Sequence, residues 1–210
     1  MSAARIPRLT EPQYAALAKV ACGSEAGGGI TLLVGPAGVG KSTVIEALIE
    51  DRPAMADVRP LEAWLDANPQ ELPTTLIVDD AHLATETSLA DLLVRVRTRR
   101  PEAALVLAGQ GRLFTLVARD TRLQQAVRIR ATLLPGSLAD TRRLAEASLP
   151  PHATLGSDAA AAIHEIAGGI PAAIVRLTEL AAVIATARPD GQVTANDVEA
   201  IHGRLSPLAA

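Results

Sequence analysis

Ile30-Thr-Leu-Leu-Val-Gly-Pro-Ala-Gly-Val-Gly-Lys-Ser-Thr43 decides how the rest of this chain is read. It divides into a short apolar strand, a glycine turn and the start of a helix. Gly35, Gly40, Lys41 and Ser42 fit G-x-x-x-x-G-K-[ST], the phosphate-binding loop of nucleoside triphosphatases. Pro36, Ala37, Gly38 and Val39 fill the loop, and Thr43 follows it. Gly35, Gly38 and Gly40 allow backbone dihedrals closed to other residues, so that successive amides point inward at phosphate oxygens. The helix behind them adds the positive end of its dipole. Lys41 is placed to meet the β- and γ-phosphates of ATP, and Ser42 offers its hydroxyl to Mg²⁺. The context agrees. Ile30 to Val34 reads as a buried parallel strand, and Val39, Val44, Ile45, Leu48 and Ile49 give a helical apolar face.

Composition bounds the alternatives. The 210 residues allow one sizeable domain, or a domain with a small appendage. Hydrophobic residues make up 49% but aromatics only 1%, so the core is built of Ala, Leu, Val and Ile. That suits helices packed on a parallel sheet. The net charge of −3 gives no global electrostatic footprint for nucleic acid. Lys19 and Lys41 are the only lysines among 20 basic residues, and one of them stands at the phosphate position. Cys22 is the single cysteine, which excludes a disulfide framework and a cysteine zinc site. A cytoplasmic setting is expected. The opening Met1 to Arg8 lacks the apolar core of a signal peptide, and Ala172 to Ala187 is too short and too charged to span a bilayer.

Pro73-Thr-Thr-Leu-Ile-Val-Asp-Asp80 is a second strand with a signature. It runs into two carboxylates at its C-terminal end, where ligands bind in open α/β sheets. It reads as a Walker B element. Asp79 is expected to hold Mg²⁺ through water, and Asp80 to orient or deprotonate the attacking water. His82 is either a satisfied surface histidine or a catalytic group. Ala103 to Ala108 is a further buried strand ending in Gly109-Gln110, which makes Gln110 a candidate sensor of the γ-phosphate or the water.

The remaining elements frame these. Thr10-Glu-Pro-Gln13 starts a helix with Thr10 as its cap. Ile6, Pro7 and Tyr14 are weak candidates for contact with a base. Val58 to Leu65 holds at most a short strand and one or two helical turns, with Trp64 as a core residue. Leu89 to Val96 is an amphipathic helix, with Arg95, Arg97, Arg99 and Arg100 around its end, where cations are favoured by the dipole. Leu113 to Val117 is helical, and Val127 to Leu134 is a last strand. From Pro135 onward the pattern is helical, over 138–149, 158–167, 172–187 and 194–201, with a sharp break at Gly168-Gly-Ile-Pro171. The expected division is a core over 1–135 and a helical lid over 136–210.

The phosphate loop, Val78-Asp-Asp-Ala-His82, Leu107-Ala-Gly-Gln110 and Ile163-His-Glu-Ile-Ala-Gly-Gly-Ile-Pro171, in this order, resemble the AAA+ ATPases of the ExeA/GspA secretion type. That broad group also holds the MuB and TniB transposition helpers and the ATPase-like domain of DamX-type division proteins. The resemblance covers about Tyr14 to Ile201. It implies an α/β P-loop fold, in which helices flank a parallel five-stranded sheet and a small all-helical lid follows. It implies ATP bound where the two parts meet, and homo-oligomers formed with nucleotide in which a neighbour's arginine completes the site. Arg122 or Arg128 falls where that arginine is expected.

Three departures qualify what the resemblance implies. The second acid is usually Glu and here is Asp80. The residue after Gly-Gly-x-Pro is usually Arg and here is Ala172, with Arg176 one turn on. The segment before the Walker B strand is short, so the edge strand is expected to be reduced or missing. Three functions remain open. The first is an ATP-hydrolysing assembly factor for a protein partner, such as a secretion or envelope complex reached at the inner membrane through that partner. The second is a nucleotide switch that hydrolyses slowly or not at all, resembling signalling ATPases of the STAND class. The third is a DNA-associated helper using Arg95, Arg97, Arg99, Arg100, Arg142 and Arg143.

Overall fold

A computed structural model of the chain describes residues 9–68, 70 and 72–205. Ile6 and Pro7 lie outside the described residues. The chain divides into two compact units between Leu134 and Pro135.

The first unit is a parallel five-stranded sheet flanked by helices. Its strands are β1 (Ile30–Val34), β2 (Ala56–Val58), β3 (Thr75–Val78), β4 (Ala104–Gly109) and β5 (Val127–Thr132), in the order β2-β3-β4-β1-β5. The three central strands are buried along their whole length, which is why their sequences run apolar without alternation. β5 alternates partly covered and exposed residues, as an edge strand does. At the other edge β2 is reduced to three residues but present. The register pairs Val34 with Gly109 and Val78 with Leu107. The carboxyl ends of β1, β3 and β4 therefore emerge together, with β4 between the other two.

Helices α1 (Glu11–Ala26), α2 (Lys41–Asp51), α3 (Leu61–Asp66), α4 (Glu86–Arg99), α5 (Arg112–Arg119) and α6 (Thr121–Ala126) complete this unit. α1 lies close on the sheet because Gly23 has no side chain. A Cβ there would stand 2.0 Å from Thr31 Oγ1. Trp64 on α3 is fully buried, and its Nε1 donates to Ile77 O over 2.9 Å. The Arg59 guanidinium sits 4.7 Å from its ring centroid. Trp64 is thus a core residue that ties α3 to β3.

The second unit holds α7 (Leu138–Ser148), α8 (Ala159–Ala167), α9 (Pro171–Ala185) and α10 (Ala195–Leu205). Its core is rich in alanine, including Ala145, Ala159, Ala181 and Ala185, together with Ile163 and Ile174. Gly168 ends α8 in the left-handed region, and Pro171 opens α9. A parallel ladder of two residues each, β6 (Thr154–Leu155) with β7 (Gln192–Val193), joins two loops and was not expected from the helical pattern. Arg188 and Asp197 form a bidentate pair, 2.8 Å from Nη1 to Oδ1. The guanidinium holds the Asp197 carboxyl well below the usual carboxylate range. No described helix is long and apolar enough to cross a membrane.

Candidate functional site

The phosphate loop leaves β1 and enters α2. Gly38 and Gly40 take positive φ, 73° and 97°, where a side chain is strained. Gly35 does not. It is needed for a different reason, since a Cβ there would stand 2.6 Å from Leu133 O and 2.9 Å from Val39 Cγ1. The expectation that all three glycines serve left-handed dihedrals is thus corrected at Gly35. Its amide donates to Gly109 O over 3.2 Å, which fastens the loop to the end of β4. The first hydrogen bond of α2 runs from Val44 N to Gly40 O. The amides of Lys41, Ser42 and Thr43 therefore have no partner within the helix.

Lys41 is the first residue of α2 and only 8% exposed. Its Nζ donates to Gly35 O at 3.1 Å and Pro36 O at 2.9 Å. Both partners are main-chain carbonyls, so the ammonium charge is held by dipoles rather than by a carboxylate. Such a buried cation is suited to an anion. Ser42 Oγ donates to Asp79 Oδ2 over 2.7 Å. The other carboxylate oxygen, Oδ1, accepts from Asp80 N at 2.9 Å. A hydroxyl and a carboxylate thus converge beside the loop, the hard oxygen donors that Mg²⁺ takes together with waters and phosphate oxygens. This donor set fits MgATP.

Asp80 starts a turn of 3-10 helix, Ala81–Leu83, and has φ 51° and ψ 28°. Gln110 is exposed, one residue past the Gly109 carbonyl that holds Gly35. Lys41, Ser42, Asp79, Asp80 and Gln110 therefore gather at the carboxyl end of the sheet. The two candidate arginines do not join them. Arg128 is at the amino end of β5, with its stem in the space a Gly29 side chain would fill. Arg122 Nη2 donates to Asp120 Oδ2 over 2.7 Å. Asp120 in turn caps α6 by accepting from Arg122 N and Leu123 N. The hydrogen bond from Arg122 holds the Asp120 carboxyl down at about 2.

Gln13 is a residue whose part was not foreseen. It is 4% exposed and uses both ends of its amide. Oε1 accepts from Thr10 N at 2.9 Å, and Nε2 donates to Val39 O at 3.1 Å. A Cβ on Gly40 would stand 2.0 Å from that Nε2. The start of α1 is thereby clipped to the phosphate loop. The Thr-x-x-Gln spacing at Thr10 signals the first bond as half of a capping box. Nothing in the sequence signals the second. Tyr14, the next residue, is exposed.

The arginine cluster of α4 is partly structural. Arg95 donates to Ala67 O and Arg100 to Leu72 O, pinning the loop before β3. Arg142 reaches Ser157 O at 3.4 Å, and Arg143 pairs with Asp140. Arg97 and Arg99 are exposed.

No protein-family model matches the chain, and no curated protein matches it. Solved structures do. The P216G mutant of Thermotoga maritima RuvB has a TM-score of 0.74 at 15% identity over 98% of this chain and 74% of its own. The Thermotoga maritima RuvB Holliday junction branch migration motor has a TM-score of 0.73 at 15% identity, over 93% of this chain and 69% of its own. Hsp104 in a closed state with ATPγS and FITC-casein has a TM-score of 0.66 at 14% identity, over 96% of this chain and 43% of its own. At such identities these likenesses show the fold alone: the chain shares the architecture of RuvB and Hsp104.

Proposed function

We propose that this chain binds MgATP, hydrolyses it, and couples nucleotide state to the assembly or remodelling of a partner protein complex. The Ser42–Asp79 hydrogen bond beside a buried Lys41 is the observation that carries this reading. Lys41 and the free amides of α2 bind the phosphates. Ser42 and Asp79 hold Mg²⁺, which neutralises charge on the β- and γ-phosphates when bound. Asp80 orients the attacking water and accepts its proton, and Gln110 holds the same water or the γ-phosphate from the end of β4. Arg122 or Arg128 reaches a neighbouring copy's site as an arginine finger in a homo-oligomer. Arg128 sits at the amino end of β5, the opposite end of the sheet from its own phosphate loop. A secretion- or envelope-type complex, engaged from the cytoplasm, is the partner favoured by the ExeA-like motifs.

A slow nucleotide switch is the second reading. Ala172, exposed at the start of α9, stands where the resemblance places a phosphate-binding arginine. The DNA-helper reading draws on the RuvB neighbour, a Holliday junction branch migration motor. It is weakened by Arg95, Arg100 and Arg143, which are spent on contacts within the chain.

Steady-state ATP turnover across a protein concentration series separates these readings. Specific activity that rises with concentration supports a shared site between copies. Tight ATP binding without turnover supports the switch, and stimulation of turnover by duplex DNA supports the helper.

A further inference from the structure

His82 stands beside the acidic pair with no part in the chemistry above. One turn of 3-10 helix, closed by Leu83 N donating to Asp80 O over 2.9 Å, brings it back beneath Asp80. Its side chain is 12% exposed. The ring occupies the room left by Gly109, where a Cβ would stand 3.1 Å from His82 Cβ and 3.2 Å from Nδ1. Arg112 Nη1 on α5 donates to His82 O over 2.5 Å and anchors the backbone from a second side.

Two anomalies face each other here. His82 Nδ1 is buried and makes no hydrogen bond, while Asp80 Oδ1 lies 3.8 Å away. That gap exceeds hydrogen-bond reach, and the Asp80 side chain, 66% exposed, would have to turn toward the ring to close it. A buried polar atom without a partner is uncommon in folded proteins and calls for a cause. Asp80 is the one non-glycine residue with positive φ among the described residues. Residues held in that region cluster at functional sites, where the surrounding structure fixes them. Gly109 connects both to the phosphate loop, because its carbonyl accepts from Gly35 N and its missing side chain admits the ring.

We propose that His82 is a positioning residue for Asp80. In its Nδ1–H tautomer the ring donates to one carboxylate oxygen and leaves the other facing the attacking water. This role rests on the ATPase reading of the site. It also gives a reason for the short acid: a second anchor fixes an aspartate that reaches less far than a glutamate.

Three substitutions test it. His82→Phe keeps the ring volume and removes Nδ1. His82→Asn places an amide near the position of Nδ1, and His82→Gln places one nearer Nε2. Circular dichroism checks the fold of each, titration gives MgATP affinity, and steady-state kinetics give kcat. In addition, ¹⁵N-histidine labelling reads the ring protonation of His82 in the wild type and in Asp80→Ala. His82→Phe is expected to lower kcat by about tenfold or more, a fraction of what a positioned acid–base group contributes. Its MgATP affinity is expected to stay within about twofold of wild type, the mark of a group acting after ground-state binding. His82→Asn recovers most of the loss and His82→Gln does not. Nδ1 carries the proton, and its resonance moves in Asp80→Ala. Wild-type kcat in His82→Phe overturns the role, as does an Asn variant no better than the Phe variant. A wild type that binds ATP without turnover contradicts the ATPase reading alone. The labelling then decides the contact by itself, and an unprotonated Nδ1 indifferent to Asp80→Ala overturns it.

Discussion

Ser42 Oγ donates to Asp79 Oδ2 across 2.7 Å, although the two residues are 37 positions apart in sequence. Ser42 is in the first turn of α2, and Asp79 directly follows β3, which is separated from β1 by β4. The strand order and register bring them together, and neither β4 nor the loop intrudes. The same pair supplies the hydroxyl and carboxylate oxygens that the proposed Mg²⁺ site would use.

Metal dependence follows from that pair. Ser42→Ala or Asp79→Asn is expected to remove most of the Mg²⁺-dependent part of ATP binding and leave binding in EDTA unchanged. A fluorescent ATP analogue titrated with and without Mg²⁺ measures this directly. Equal Mg²⁺ dependence in wild type and variants would remove both residues from the metal site.

Asp80 is expected to act after binding. Asp80→Asn keeps the side-chain volume and loses the carboxylate's ability to accept a proton. MgATP affinity should stay near wild type while turnover falls by about 10²-fold or more. Single-turnover kinetics with radiolabelled ATP separate the two quantities. Turnover at the wild-type rate would take Asp80 out of the chemistry.

Gln13 links the stability of the fold to the shape of the loop. Gln13→Leu strands the buried Val39 carbonyl and the Thr10 amide, at a cost of ~1–3 kcal/mol for each group left unpaired. A lower melting temperature and weaker MgATP binding are both expected. Gly40→Ala is expected to do the same, because its new Cβ would strike Gln13 Nε2. Unchanged ATP affinity in a destabilised Gln13→Leu would restrict the residue to capping α1.

The Asp120–Arg122 pair gives a pH signature. The hydrogen bond from Arg122 holds the folded carboxyl at about 2, below the 3.8 usual for an aspartate. A depressed folded pKa adds stability above the unfolded pKa, and that stability is lost as pH falls through the folded value. The wild type should therefore be slightly more stable than Arg122→Ala at neutral pH. The difference should shrink between about pH 4 and pH 2. Urea melts of both proteins at pH 7, 4 and 2.5 measure it. A constant difference would mean that Arg122 stabilises by packing alone.

Much of the fold was legible because its three central strands are buried on both faces. The runs of β1, β3 and β4 carry no alternation, and Gly-Lys-Ser after β1 with Asp-Asp after β3 put the candidate site residues on strand ends. Short features were not legible. β6 and β7 are two residues each, too short for any periodicity, and are held by loops that meet only in three dimensions. Gly35 looked like a dihedral requirement and is instead a close approach to Leu133 O. The bond from Gln13 to Val39 O joins residues 26 apart, so no local pattern encodes it. Arg95 and Arg100 looked like a charged helix end, and their carbonyl partners in the loop before β3 emerge only once α4 is packed.

The central claim is that Lys41 and the loop around it bind the phosphates of ATP. Isothermal titration of MgATP into the wild type and into Lys41→Ala tests it most directly. The account predicts saturable binding of about one ATP per chain in the wild type. It predicts at least a tenfold weaker Kd in the variant, equivalent to about 1.4 kcal/mol, with no loss of fold by circular dichroism. Equal affinity in the two proteins, or no binding in the wild type, would contradict it.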